Sequence, residues 1–187
     1  MADVSVRPAR LLDVEAMVTM QLRAWAALPP GVWSLPPLDQ LDPAAMGRSW
    51  ERAVLLAPSP RHRLLVALDG DTVVGAVALT PSDDPDVGPL DEPTTDGPVD
   101  ELVLLVVDPA YRRRGHGSRL MTAAADLAAT DGTDALVSWL PASDDEARSF
   151  LTGAGWAPDG AHRTVEVADR TVRELRFATH LTAASDE

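Results

Sequence analysis

The chain of 187 residues contains no cysteine. Disulfides, thiolate metal sites and a cysteine nucleophile are therefore excluded together. Lysine, asparagine and isoleucine are also missing, so all 16 basic residues are arginine. The codons of those three residues are poor in G and C. A GC-rich genome accounts for the absences, and a missing Asn or Lys at one position says nothing about function. Aromatic residues make up only 4% of the chain, with Tyr111 as its one tyrosine. No apolar run approaches the ~18 residues that a membrane span needs. The first residues, Met1-Ala2-Asp3-Val4, show no basic stretch leading into an apolar one, so no signal peptide is read there. The expectation is a cytoplasmic protein with no membrane partner.

Positive charge is scarce as well. Against 29 acidic residues the net charge is −13, and the isoelectric point is near 4.6. Such a surface repels nucleic acid and attracts small cations. The four histidines, His62, His116, His162 and His180, are scattered without metal-ligand spacing, so no metal is expected. Hydrophobic residues are 45% of the chain and mean hydropathy is −0.04. These values suit a folded domain, and the length suits one, spanning 1–187. A homodimer is an open option.

Periodicity and punctuation give an order of elements. A strand is predicted over 5–9. Asp13 is the expected cap of a helix reaching about residue 28, with Val14, Val18, Leu22 and Trp25 on its inner face. Asp42-Pro43 reads as an N-cap with Pro at the first helical position. The helix that follows, to about residue 57, should turn Met46, Trp50, Ala53 and Val54 inward. Strands over 62–68 and 72–80 flank Asp69-Gly70, a hairpin signal. Residues 81–100 are rich in Pro and Asp and are expected to form an exposed, mobile loop. The stretch 101–107 is almost wholly apolar after Glu101, which predicts a central strand buried on both faces. A helix over 118–130, a strand over 135–140, a short helix capped by Ser143 or Asp144, and a hairpin over 163–167 and 171–180 complete the chain.

The most informative segment lies between that central strand and its helix: Arg112-Arg113-Arg114-Gly115-His116-Gly117. A helix N-terminus carries unpaired N–H groups and partial positive charge. Two glycines let the backbone turn tightly and approach a ligand closely. Three arginines in an otherwise acidic chain add fixed positive charge. Together they suit an anion such as a diphosphate. The Gly-Lys-Ser/Thr end of a nucleotide-binding P-loop is absent, and the spacing is not that of a dinucleotide fingerprint.

From Val107 to Leu120 this segment resembles motif A of the GNAT acetyltransferase superfamily, whose Arg/Gln-x-x-Gly-x-Gly/Ala core is matched by Arg112, Gly115 and Gly117. The element order matches that fold over nearly the whole chain. The resemblance implies an α/β fold: a central mixed sheet with two splayed parallel strands, flanked by helices. It implies acetyl-CoA as co-substrate, its diphosphate on the amides of Arg113, Arg114, Gly115, His116, Gly117 and Ser118. The pantetheine arm would pair with the backbone of Leu105, Val106 and Val107. Arg112 would touch the ligand or form an ion pair within the protein. The activity implied is acetyl transfer to the primary amine of a small molecule or peptide.

An alkyl amine with a pKa near ~10.4 is neutral only about once in ~10³ molecules at pH 7, so a base is useful. The resemblance points to Glu101, with Asp100 as the alternative. The departing thiolate receives its proton from a tyrosine in the family, but Leu151 stands at that position of Asp144-Asp145-Glu146-Ala147-Arg148-Ser149-Phe150-Leu151. A non-catalytic acyl-CoA-binding or regulatory module is therefore the rival reading. Asp144 replaces the family's asparagine and either contacts cofactor or caps its helix. Arg148 either reaches a CoA phosphate or pairs with Asp144. Trp33, in the first inter-helix loop, is the candidate acceptor-binding residue, beside an acidic 83–101 stretch with eight carboxylates.

Overall fold

A computed structural model describes residues 3–29, 32, 37–83, 97–167 and 170–181. Trp33 and residues 84–96 lie outside the described residues. The elements run β1 (Val4–Pro8), α1 (Val14–Ala26), α2 (Pro43–Leu55), β2 (Arg63–Asp69), β3 (Thr72–Pro81), β4 (Val99–Val107), α3 (His116–Thr130), β5 (Ala135–Pro141), α4 (Asp145–Gly153), β6 (Ala157–Val167) and β7 (Arg170–His180). The seven strands form one mixed sheet in the order β1-β2-β3-β4-β5-β7-β6. Every neighbouring pair is antiparallel except β4 and β5. No helix among the described residues is long and apolar enough to cross a membrane.

Two apolar layers sandwich the first half of the sheet. On one face Leu120, Met121, Ala124 and Ala128 of α3 pack with Leu65, Val77, Leu79, Leu102 and Leu136. On the other, Met17, Met20 and Ala24 of α1 pack with Val66, Val73, Ala76 and Val106. The 3–4 spacing of each helix and the alternation of each strand produce these faces. Gly75 sits where α3 crosses β3. A Cβ there would lie 2.9 Å from Leu120 Cδ1 and 3.0 Å from the Val106 carbonyl oxygen, so the close helix–sheet approach requires glycine.

Several local expectations are corrected. Asp13 stands at the N-cap position of α1, but its side chain makes no capping hydrogen bond to that helix. It ends a 3-10 turn, Leu11–Asp13, and accepts from the Arg10 amide at 2.7 Å and from both Arg7 guanidinium nitrogens at 2.6 and 2.8 Å. The Arg7 bonds hold its carboxyl below the usual range. In α1 the buried positions include Met17, Met20 and Ala24, while Leu22 and Trp25 are half-buried. α2 starts as predicted, with Asp42 accepting from the Ala44 amide at 2.9 Å, but buries no residue fully. Trp50 is half-buried and donates to Gln21 Oε1 of α1 at 2.9 Å, and Ala53 is exposed. β6 begins at Ala157 because a bulge between Pro158 and His162 absorbs the Pro-Asp-Gly turn signal.

The largest correction concerns β4. It is central, but it is not buried on both faces: Val103 is 49% exposed and Leu104 and Leu105 are half-buried. The register explains why. Leu102 pairs with Leu79 and Leu104 with Ala78, so Val103 is an extra residue with no β3 partner. Such a bulge bends its strand. β4 pairs with β5 only through Val99↔Ala135, Asp100↔Leu136 and Glu101↔Val137. Beyond that point the two strands separate.

Candidate functional site

The fork between β4 and β5 opens into a cleft of about 950 Å³. One wall is β4 from Leu102 to Val107, and the other is β5 from Ser138 to Pro141. α4 closes one side through Phe150 and Leu151, and the end of α1 and the residues just after it contribute Trp25 and Leu28. Parallel strands offer ligand space beyond their C-terminal ends, and the bulge at Val103 widens that space into the sheet.

The mouth is built by the turn after β4. Buried Asp108 accepts from the Ala110 amide at 3.0 Å and from the Arg23 guanidinium at 2.5 Å, tying the turn to α1. Arg113 has φ 62° and Gly115 φ 83°. The left-handed region costs an L residue roughly 1–2 kcal/mol, and at Gly115 that cost is absent. Gly115 is the N-cap of α3. The first amides of the helix, at His116, Gly117 and Ser118, have no acceptor within it. A Cβ on Gly117 would touch Phe150 Cζ at 3.4 Å and Val107 Cγ2 at 3.7 Å, so the turn rests directly on α4 and β4. Helix dipole, free amides and arginine together make this mouth a favourable place for anionic oxygens.

The sequence-predicted residues divide by position. Leu105, Val106, Val107, Arg112, Arg113, Gly115, His116, Gly117, Ser118 and Asp144 all line the cleft. Arg112 is half-buried and spans the mouth, with Nε donating to the Val107 carbonyl at 3.4 Å and Nη1 lying 3.7 Å from Glu146. Arg114 turns away: its guanidinium lies 5.0 Å over the Tyr111 ring and 3.8 Å from Asp69. Asp144 caps α4 by accepting from the Ala147 amide at 2.9 Å. Arg148 is outside the lining. It donates to the Ala142 carbonyl at 3.1 Å and pairs with Asp145, one turn back, rather than with Asp144.

Glu101 is half-buried on the last β4 residue paired with β5, opposite Val137, and lies just outside the lining. Asp100, the alternative base, is buried and engaged elsewhere. It is 1% exposed, pairs with Arg61 at 2.5 Å and accepts from Thr133 Oγ1 at 2.6 Å. Leu151 is buried and apolar on the cleft wall. His116 presents its amide at the mouth, while its ring packs inward against Tyr111, centroids 6.3 Å apart. The ring is 2% exposed and neither nitrogen has a hydrogen-bond partner among the described residues. Burial lowers its pKa, with a smaller opposing pull from Asp69.

Trp25, read on the inner face of its helix, also lines the cleft, and sequence reasoning missed Ser138 and Trp139 of β5. The Ser138 hydroxyl, 2% exposed, donates across the fork to the Leu102 carbonyl at 2.9 Å. A lone serine within the apolar run Ala135-Leu136-Val137-Ser138-Trp139-Leu140 was the available signal. Trp139 carries the Arg163 guanidinium 4.4 Å over its ring, next to a buried Arg176–Asp159 pair at 2.6 Å. Among the described residues no cluster of His, Asp or Glu could hold a metal ion.

Comparisons with known proteins agree with this fold. The model of the acetyltransferase (GNAT) family matches residues 21–156. No curated protein matches the chain. Among solved structures, the Salmonella typhimurium protein yncA, determined with its cofactor acetyl-CoA, is 16% identical with a TM-score of 0.69, covering 97% of this chain and 96% of its own. The ribosomal-protein-alanine N-acetyltransferase from Brucella melitensis is 16% identical with a TM-score of 0.71, covering 95% and 99%. The ribosomal-protein-S18-alanine N-acetyltransferase from Escherichia coli is 16% identical with a TM-score of 0.66, covering 99% and 98%. At these identities the likeness is one of fold.

Proposed function

Because the chain belongs to the acetyltransferase (GNAT) family, we propose that it is an N-acetyltransferase that moves the acetyl group of acetyl-CoA to the primary amine of a small molecule or peptide. The observation that carries this reading is the forked cleft with the free amides of α3 at its mouth. A volume of about 950 Å³ suits a long ligand. The turn has what a diphosphate needs: unpaired amides, a helix N-terminus and Arg112 and Arg113 alongside. The acetyl-CoA supplies a thioester, and this chain's residues bind and orient it. In this reading the Arg113-to-Ser118 amides hold the diphosphate. Leu105 to Val107, which have no β5 partner, offer their backbone edge to the pantetheine amides. The thioester then reaches the narrow end of the fork near Leu102 and Val103.

Glu101 is the proposed base. It stands at the last paired position before the fork. It draws a proton from the incoming ammonium, directly or through water, because only the neutral amine attacks. The acidic balance of the chain attracts cationic acceptors; Trp33 is the proposed acceptor-binding aromatic, and Trp25 lines the cleft. A cytoplasmic site of action goes with this reading. A second reading, an acyl-CoA-binding module without turnover, is favoured by one observation: Leu151 places an apolar side chain on the cleft wall.

Incubating the protein with acetyl-CoA and a panel of amines while following thiol release separates the two. Release that depends on an amine supports the transferase. Calorimetric CoA binding with no release on any amine supports the module. No binding of CoA or acetyl-CoA at millimolar concentration removes both.

A further inference from the structure

We propose that the Ser138 hydroxyl is the proton donor to the sulfur that leaves when the thioester is cleaved. This rests on the acetyl-transfer reading above and names a group for a step that it leaves unassigned. A departing thiolate leaves more readily beside a proton donor, and the narrow end of the fork contains few. Leu102, Val103, Leu140 and Leu151 line the cleft with carbon. Tyr111 and His116 belong to the turn at the opposite end of the cleft. Ser138 is the hydroxyl at the apex among the described residues.

Its position follows from the register. Val137 is the last β5 residue paired with β4, and Ser138 comes immediately after it. Where a continued ladder would place a backbone bond, the Ser138 side chain reaches across to the Leu102 carbonyl at 2.9 Å. Strand alternation puts Ser138 on the face shared by Leu136 and Leu140, which is also the face of Leu151 and α3. That is the side on which the α3 amides open. A hydroxyl has one proton that rotates freely about the Cβ–Oγ bond, and two lone pairs. Turning the proton from the Leu102 oxygen to a sulfur at the fork requires no heavy atom to move.

The step balances as a relay. When the tetrahedral adduct collapses, the carbon–sulfur bond breaks and its electron pair goes to sulfur. In one concerted transfer Ser138 gives its proton to that sulfur while its oxygen takes one from the acceptor nitrogen, directly or through water, as that nitrogen becomes a neutral amide, so no serine alkoxide forms. One proton leaves nitrogen and one arrives on sulfur, and Ser138 ends as it began.

The test needs no acceptor amine. Free thiols of this type titrate near ~8.5. With CoA bound, the thiolate absorbance is titrated in the wild type, Ser138→Ala and Ser138→Thr. A hydroxyl that bonds the sulfur stabilises the thiolate, so the wild type and Ser138→Thr should titrate about one unit lower than Ser138→Ala. Should the alanine variant be unstable, Ser138→Val against Ser138→Thr repeats the comparison at constant shape. Equal titration with and without the hydroxyl, in proteins that all bind CoA, overturns the role of Ser138 and leaves the transferase reading standing. A wild type that fails to bind CoA overturns both.

Discussion

Replacing His116 with leucine should make the protein more stable, and the reason lies in two nitrogen atoms. The imidazole is 2% exposed beneath the turn after β4, and neither Nδ1 nor Nε2 finds a partner among the described residues. Each unsatisfied buried polar group costs about 1–3 kcal/mol. Leucine fills similar space with carbon and removes both, at the expense of some shape mismatch worth about 1 kcal/mol. A net gain of about 1–5 kcal/mol is expected, or roughly 2–4 °C in Tm per kcal/mol for a chain of this size. The pH dependence gives an independent check. Burial lowers the folded-state pKa of His116 below the ~6.5 of the unfolded chain. The contribution of the neutral ring is therefore fully present above about pH 6.5. As pH falls below that value the unfolded state takes up a proton that the folded state refuses, and stability drops by up to about 1.4 kcal/mol per pH unit until the lowered folded pKa is reached. Urea unfolding of both proteins between pH 5 and 8 measures both effects. The variant should be more stable at pH 8 and should lose less between pH 6.5 and 5. A less stable variant at pH 8, or identical slopes below pH 6.5, refutes the reasoning.

Three further outcomes are expected. Gly117→Trp places a large ring where even a Cβ would touch Phe150 and Val107, so CoA affinity measured by calorimetry should fall by at least about tenfold with the circular dichroism spectrum retained; unchanged affinity would remove the turn from the binding site. Glu101→Gln should slow turnover most at low pH, where a base must compete for the amine's proton, and a pH–rate profile superimposable on the wild type would take Glu101 out of the mechanism. Asp100→Ala leaves Arg61 half of a broken pair and Thr133 without its acceptor, so a loss of about 3–5 kcal/mol in denaturant unfolding is expected, and a loss under about 1 kcal/mol would contradict the structural role given to that carboxylate.

The order of elements was legible because its signals are local: alternating or 3–4 apolar spacing, Asp42-Pro43 at a helix start, Asp69-Gly70 in a hairpin. The glycine turn was legible for the same reason, since a helix N-terminus and the residues that free its amides are adjacent in the chain. What escaped reading depends on partners far away in sequence. An apolar run such as 101–107 reads as doubly buried, yet the exposure of Val103 comes from how β4 aligns with β3, a property of two segments. Asp13 looked like a cap until Arg7 on the neighbouring strand claimed its carboxylate. Arg114 and Arg148 stand beside the right motifs, but Tyr111 and Asp69, or Ala142 and Asp145, hold their side chains. Ser138 gains meaning only from Leu102, 36 residues away.

The seam between β4 and β5 is three residue pairs long, yet it is the place where the β1–β4 and β5–β7 halves of a seven-stranded sheet are stitched together. A guest lying against the open edge of β4 works as a splint across that weak stitch. Amide hydrogens of β5 and β7 should then exchange more slowly when the splint is in place, and the melting temperature should climb with guest concentration. In such a design the molecule is sturdiest while it is loaded and loosest just after it has let go.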